Sequence, residues 1–160
     1  MNETNTNKGG WEHSEMRSYL NSTVFNALPA ALRSKVINTK VISGHGGGDT
    51  DNFDTTDKLY LLSTHEVFSD VDGNTNSGLD RYDSAYNNTR QLDYYASQGV
   101  TTSSYSGAIK QNLSDANSEW WLRSAYASGN NYFYTVSYNG SFSYTSSRNS
   151  SGVSPAFRIG

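Results

Sequence analysis

The sequence predicts one α+β domain, rich in loops, with helices at the front and strands at the back. Three observations carry this. Helical spacing is confined to the front of the chain, where apolar residues recur at three and four positions. The last third alternates around an Asn139-Gly140 turn, the strongest short hairpin signal. Only 34% of the 160 residues are hydrophobic, yet 13% are aromatic, with 12 Tyr, 6 Phe and 3 Trp. Aromatic side chains bury large areas, so few of them build a core. Charged residues are only 17%, whereas disordered chains pair low hydrophobicity with high net charge.

Taken in order, Met1 to Gly10 is polar and ends in glycines, and reads as a flexible leader without the features of a signal peptide. Residues 11–160 then form a single domain. Ser14 caps a first helix, with Glu15 at its positive end and Met16, Tyr19 and Leu20 on one face. Trp11, ahead of the cap, packs back as a staple. Pro29 opens a second short helix over residues 30–36, with Leu28, Leu32 and Val36 as its buried stripe. Residues 36–43 carry β-branched Val36, Ile37, Val41 and Ile42 and read as a strand; residues 44–54 are a Gly/Asp/Asn loop. The run Leu59-Tyr60-Leu61-Leu62 reads as a buried strand, followed by a short helix from Ser63 or Thr64 carrying Val67 and Phe68. Residues 69–88 are a long polar insertion, and residues 92–96 read as helical. Residues 99–117 show no determining pattern. Trp120, Trp121 and Leu122 form a hydrophobic block; Phe133, Val136 and Phe142 follow in a meander, and Val153, Pro155, Ala156, Phe157 and Ile159 form a last strand sharing a core with the first helix. No internal repeat is present.

Composition excludes several functions. Net charge is −3, which does not attract a phosphate backbone, so nucleic acid is not an expected partner. The absence of Cys removes disulfides, thiolate catalysis and Cys-ligated zinc. No apolar run approaches the ~18 residues of a membrane span, so no membrane insertion is expected.

Asp70, Asp72, Asn74, Asn76 and Asp80 place oxygen ligands in a spacing that imitates the start of a calcium loop. Gly73, however, falls at the fourth position of that loop and not the sixth, and no Glu stands at the twelfth. Calcium at this site and a solvated insertion with turns both stay open, and no cofactor is required. The loop Gly46-Gly47-Gly48 lacks the Lys-Ser/Thr ending of a phosphate loop. His65-Glu66 lacks the second His of a zinc-protease motif, and His65 reads as a helix-start or surface residue. No Gly-x-Ser-x-Gly elbow occurs, and no carboxylate pair stands out. The expectation is a protein that is not an enzyme.

Several blocks together resemble one bacterial and phage family. They are Trp120-Trp121-Leu122-Arg123-Ser124, Tyr132-Phe133-Tyr134 with Val136, the Asn139-Gly140 turn, and Gly152 to Ile159. Upstream, Trp11 with Ser14 to Asn21, and Thr55 to Ser63, agree with it. The chain is similar to C-type-lectin-like domains related to the formylglycine-generating-enzyme group, some of which serve as variable proteins of diversity-generating retroelements. The resemblance implies two short helices on a small twisted antiparallel sheet. It also implies a receptor-binding role on a phage virion or bacterial surface, toward a protein or cell-surface ligand. Two positions depart from the family pattern: Ala125 replaces the usual Pro after the Trp-Trp block, and Ser154-Pro155 replaces an Arg-Pro. The cysteines of the formylglycine-generating enzymes are absent, as are the calcium-site triplets of sugar-binding lectins. A lectin-like fold therefore does not by itself imply carbohydrate. A calcium-dependent carbohydrate binder, a tail or pilus tip subunit and an enzyme relative remain the alternatives.

Residues 125–151 are mostly Ser, Tyr, Asn, Gly, Thr and Ala. This is the composition of a paratope, where Tyr gives contact area at low entropy cost and small polar residues adapt their hydrogen bonds. It also matches what adenine-directed mutation of Asn codons would yield. Trp121, Leu122, Phe133, Val136, Phe142, Val153 and Phe157 are the expected scaffold. Tyr126, Asn130, Asn131, Tyr132, Tyr134, Tyr138, Tyr144, Arg148 and Asn149 are the expected ligand-binding surface.

Overall fold

The computed structural model describes residues 1–71 and 90–160. The architecture is mixed α+β: short helices and small antiparallel sheets joined by long irregular segments. Ser14 caps α1 (Glu15–Tyr19), its hydroxyl accepting the Arg17 N–H at 3.1 Å. The helix continues through a single π turn (Leu20–Val24) into α2 (Phe25–Ala27) without leaving helical backbone angles. It stops because Pro29 holds the preceding Leu28 extended, at ψ 148°. Next comes α3 (Ala30–Arg33), shorter than the sequence suggested. Val36 leaves the helix and is buried instead in β1 (Val36–Ile37).

The strand expected over residues 36–43 is two strands serving different partners. β1 pairs antiparallel with β9 (Arg158–Ile159), while β2 (Thr39–Ser43) pairs with β3 (Phe53–Asp57). The Leu59 to Leu62 segment is buried as expected, but it is not a ladder strand: it is tied in by a bridge from Tyr60 to Ala156 and by the Arg123 N–H of the strand over residues 120–125, which donates to the Leu62 carbonyl. Ser63 then caps α4 (Thr64–Val67) with a full capping box: the Glu66 N–H donates to the Ser63 hydroxyl, and the Ser63 N–H donates back to Glu66. His65, read as a helix-start or surface residue, stands in the first turn of this helix and is buried there. α5 (Asp93–Ser97) lies within a residue of its expected place. β4 (Lys110–Gln111) and β5 (Asn117–Ser118) form a small hairpin where the sequence showed no pattern. The largest sheet has the order β6 (Trp120–Ala125), β7 (Tyr132–Val136), β8 (Phe142–Ser146).

Trp11, Leu20, Leu59, Leu61, Trp120, Trp121, Leu122 and Phe133 centre the core, each nearly or wholly buried. Two ion pairs run through it. The Arg123 guanidinium donates to the Leu61 carbonyl at 2.8 Å, to the Ile42 carbonyl at 3.2 Å, and to the Glu66 carboxylate. Its own backbone N–H donates to Leu62 at 2.9 Å. One side chain thereby fastens β6 to β2, to the Leu59 to Leu62 segment and to the capping box of α4. Asp57, equally buried, accepts from the Trp11 indole at 2.9 Å, from the Thr55 hydroxyl at 2.8 Å and from Arg17 at 2.7 Å. Asn21 works similarly, its carbonyl oxygen accepting the Lys58 and Leu59 N–H groups while its amide donates to the Leu59 carbonyl.

The last strand is shorter than expected, and the scaffold expectation fails at its two ends. Val153 and Phe157 are 40% and 39% exposed, outside the two-residue pairing of β1 with β9. The N-terminal segment departs most from expectation. Residues 1–10 pack onto the C-terminal sheet in place of forming a flexible leader. Met1, Asn7, Gly9 and Gly10 are buried, and the Asn2 N–H donates to the Ser147 carbonyl at 2.8 Å. Among the described residues no helix is long and apolar enough to cross a membrane.

Candidate ligand-binding surface

β6 has no open edge. On one side it pairs with β7; on the other, Arg123 takes the Leu62 carbonyl and Trp121 takes the Gly152 carbonyl at 2.9 Å. β7 is therefore the middle strand and β8 the outer one. Tyr132 stands opposite Ser146, Tyr134 opposite Tyr144, and Val136 opposite Phe142. The β7–β8 turn returns the chain through Gly140, which sits at φ +94°. A Cβ there would lie 2.1 Å from the Tyr105 carbonyl oxygen, so only glycine fits.

This pairing gathers four of the expected surface tyrosines. The Tyr126 and Tyr144 rings stack at 4.7 Å with 24° between planes. Tyr132 meets Tyr144 edge-on at 5.3 Å, and Tyr126 meets Tyr134 at 5.6 Å. Tyr144 is 49% exposed, Tyr126 and Tyr132 are half-buried, and Tyr134 is 1% exposed. Tyr134 is thus a correction: it is the base of the cluster and not part of its surface. Its strand is the central one, and the Tyr126 and Tyr144 rings lie against it.

The remaining positions do not join this layer. Tyr138 is 65% exposed at the hairpin turn, with no ring contact to the other four. Asn130 is exposed and Asn131 half-buried in the β6–β7 connection. Asn149 is exposed, its amide donating to the Thr145 hydroxyl at 2.6 Å. Arg148 lies elsewhere, along a shallow cleft with Asn2, Glu15 and Tyr19.

What holds the layer is a residue the sequence reading passed over. Asn7 is wholly buried, and its side-chain amide donates to the Gly129 and Tyr132 carbonyls at 2.9 Å and to the Tyr126 carbonyl at 3.2 Å. Its backbone N–H donates to the Asn130 carbonyl at 2.9 Å. The N-terminal segment thus clamps the β6–β7 connection, which opens with Tyr126 and leads into Tyr132, the first residue of β7. Nothing in the local sequence marks Asn7, since its partners are carbonyls more than a hundred residues away.

Of the expected calcium ligands, only Asp70 lies among the described residues, and both its oxygens accept from Thr102, at 2.7 and 2.6 Å. Asp72, Asn74, Asn76 and Asp80 lie outside the described residues. No group of three or more His, Cys, Asp or Glu able to hold a metal occurs among the described residues. His45 contacts the Gly46 carbonyl at 2.7 Å, and His13 faces Phe53 at 6.2 Å between rings.

No curated protein and no solved structure matches the chain. One family model matches it, over residues 1–160. The chain belongs to that family, the domain of unknown function DUF6273.

Proposed function

We propose that this chain is a ligand-binding display module without enzymatic activity, built on a C-type-lectin-like fold and presenting residues 125–151 to a protein or cell-surface ligand. The observation that carries this reading is the tyrosine layer: Tyr126, Tyr132 and Tyr144 in mutual ring contact, partly open to solvent, above a buried Tyr134. Tyrosines fixed by one another lose little entropy on binding, and rigid aromatic anchors dominate most interfaces. The Asn7 clamp supports the same reading, because it preorganises the loop without engaging the tyrosine side chains. The lectin-like fold rests on the resemblance of the Trp120 to Ser124 and Gly152 to Ile159 blocks, with the mixed α+β architecture in accord.

The same composition underlies the further proposal that the module is the variable protein of a diversity-generating retroelement on a phage or bacterial surface. Its test is the encoding genome: a second copy of the segment for residues 120–159 beside a reverse-transcriptase gene, differing only at adenines, is expected. Absence of such a copy removes diversification and leaves the binding surface to be tested directly. For that, the labelled domain and a folded Tyr126→Ser, Tyr132→Ser, Tyr144→Ser variant are applied to intact bacterial cells. Retention of the parent and loss of the variant is the expected result; equal retention of both overturns the reading.

A further inference from the structure

A second concavity shares no residue with the tyrosine layer. It lies among β2, the Leu59 to Leu62 segment, α4 and β9, and encloses about 390 Å³. That is the scale of a small-molecule pocket. Val41, Ile42 and Leu92 give it apolar wall, while Lys40, Arg90, Arg123 and Arg158 bring four cations against the single carboxylate of Glu66.

The four cations are not equivalent. Arg123 is buried and fully engaged with two carbonyls and Glu66, so it is floor. Lys40 is tied to Asp54 at 2.8 Å and Arg90 to Asp93 at 2.5 Å, but all four of those side chains are more than half exposed. Pairs of that kind contribute roughly 0–1 kcal/mol and open readily. Arg158 has no ion-pair partner among the described residues. It lies beside the Tyr60 hydroxyl. Burial pushes that phenol above its ordinary range and the nearby Glu66 pushes it further, so it stays a protonated donor at neutral pH. Tyr60 is held in place by a reciprocal pair of backbone bonds with Ala156, at 3.0 and 2.7 Å. A concave wall strengthens the field of its charges, and a guanidinium offers two parallel donors to a planar or tetrahedral oxyanion.

We propose that this cleft binds the oxyanion group of a small organic ligand, a carboxylate or a phosphate monoester. Arg158 is the principal charge partner, the Tyr60 hydroxyl a neutral donor and Lys40 a second cation released from Asp54. The apolar wall takes the organic part of the ligand. The proposal stands independently of the tyrosine surface.

The test is calorimetric titration of the full chain with inorganic phosphate and, separately, with acetate, against chloride at equal ionic strength. Saturable binding of at least one anion is expected, with a matching rise in melting temperature. The stronger of the two assigns the headgroup. Arg158→Gln weakens that binding about tenfold or more, Arg158→Lys weakens it less because charge survives and the fork is lost, and Lys8→Gln, on an exposed side chain outside the cleft, leaves it unchanged. Circular dichroism of each variant confirms that it is folded. No binding of either anion beyond chloride, or equal binding by folded Arg158→Gln, overturns the proposal.

Discussion

In the front of this molecule side chains hold the backbone; in the C-terminal hairpin the backbone holds the side chains. β2 and β3 carry a ladder of their own, but the front's helices and the Leu59 to Leu62 segment between them are not part of any strand ladder. Arg123 and Asn21 stand in for a ladder there, reaching the Ile42, Leu59 and Leu61 carbonyls and the Lys58 and Leu59 N–H groups, while Asp57 ties the side chains of Trp11, Arg17 and Thr55 together. β7 and β8, by contrast, pair over five consecutive positions. Their ladder needs no help from Tyr144, so that side chain is free to serve a surface. The difference teaches where this chain tolerates change. A side chain that replaces a ladder cannot be altered without exposing or orphaning backbone groups, whereas one that rides on a ladder can.

The largest expected effect therefore lies at Arg123. Arg123→Ala leaves the Glu66 carboxylate with little access to water and removes donors from the Leu61 and Ile42 carbonyls. Breaking a buried pair from one side costs roughly 3–5 kcal/mol, a large share of the roughly 5–15 kcal/mol that holds an ordinary domain folded. Urea denaturation followed by tryptophan fluorescence measures it. A loss under about 1 kcal/mol would mean that the front half is held by its apolar core alone and that its polar side chains do not hold the backbone.

Asn7 sharpens the comparison, since it applies the front's device to the back's loop. Asn7→Ala removes one donor each from the Tyr126, Gly129 and Tyr132 carbonyls, which keep the Gly129, Gly47 and Tyr126 N–H groups, so the cost is that of lost buried hydrogen bonds, roughly 0.5–1.5 kcal/mol each. The melting temperature is expected to fall, and amide exchange at residues 126–132 to accelerate more than exchange in β2 and β3. Uniform acceleration across the domain would show that the segment stabilises the whole fold and does not act locally on the tyrosine loop.

This division also explains what was legible in the sequence. The Ser14 cap, the turn of helix after Ser63, the Trp120 to Leu122 block and the β7–β8 hairpin rest on local spacing, and each forms as read. The split at residue 38, the β2–β3 pairing and the ordering of residues 1–10 rest on distant partners and leave no local mark. Tyr132 and Tyr134 show the same limit within one strand. Period-two alternation puts them on one face, as observed, but only the packing of Tyr126 and Tyr144 against Tyr134 decides that one is covered and the other partly open. Val153 and Phe157 fail in the opposite sense: apolar residues read as scaffold that stand outside the β1–β9 pairing and stay exposed.

The smallest expected effect lies at the hairpin turn. Tyr138 is 65% exposed, makes no ring contact with the tyrosine layer, and follows a strand whose ladder is complete without it. Tyr138→Ser should change stability by less than about 0.5 kcal/mol, the usual range for a surface position free of special contacts. Tyr144→Ser, which removes ring contacts at 4.7 and 5.3 Å, should cost more, about 0.5–1.5 kcal/mol per aromatic pair. Parallel thermal melts of the two variants decide whether the hairpin's side chains are carried freely or the tyrosine layer also buttresses the sheet. A near-zero cost at both positions would make the layer expendable to the fold and available entirely to a ligand. A cost at Tyr138 as large as that at Tyr144 would mean that the turn is itself structural, and would move the boundary between the two regions to the end of β7.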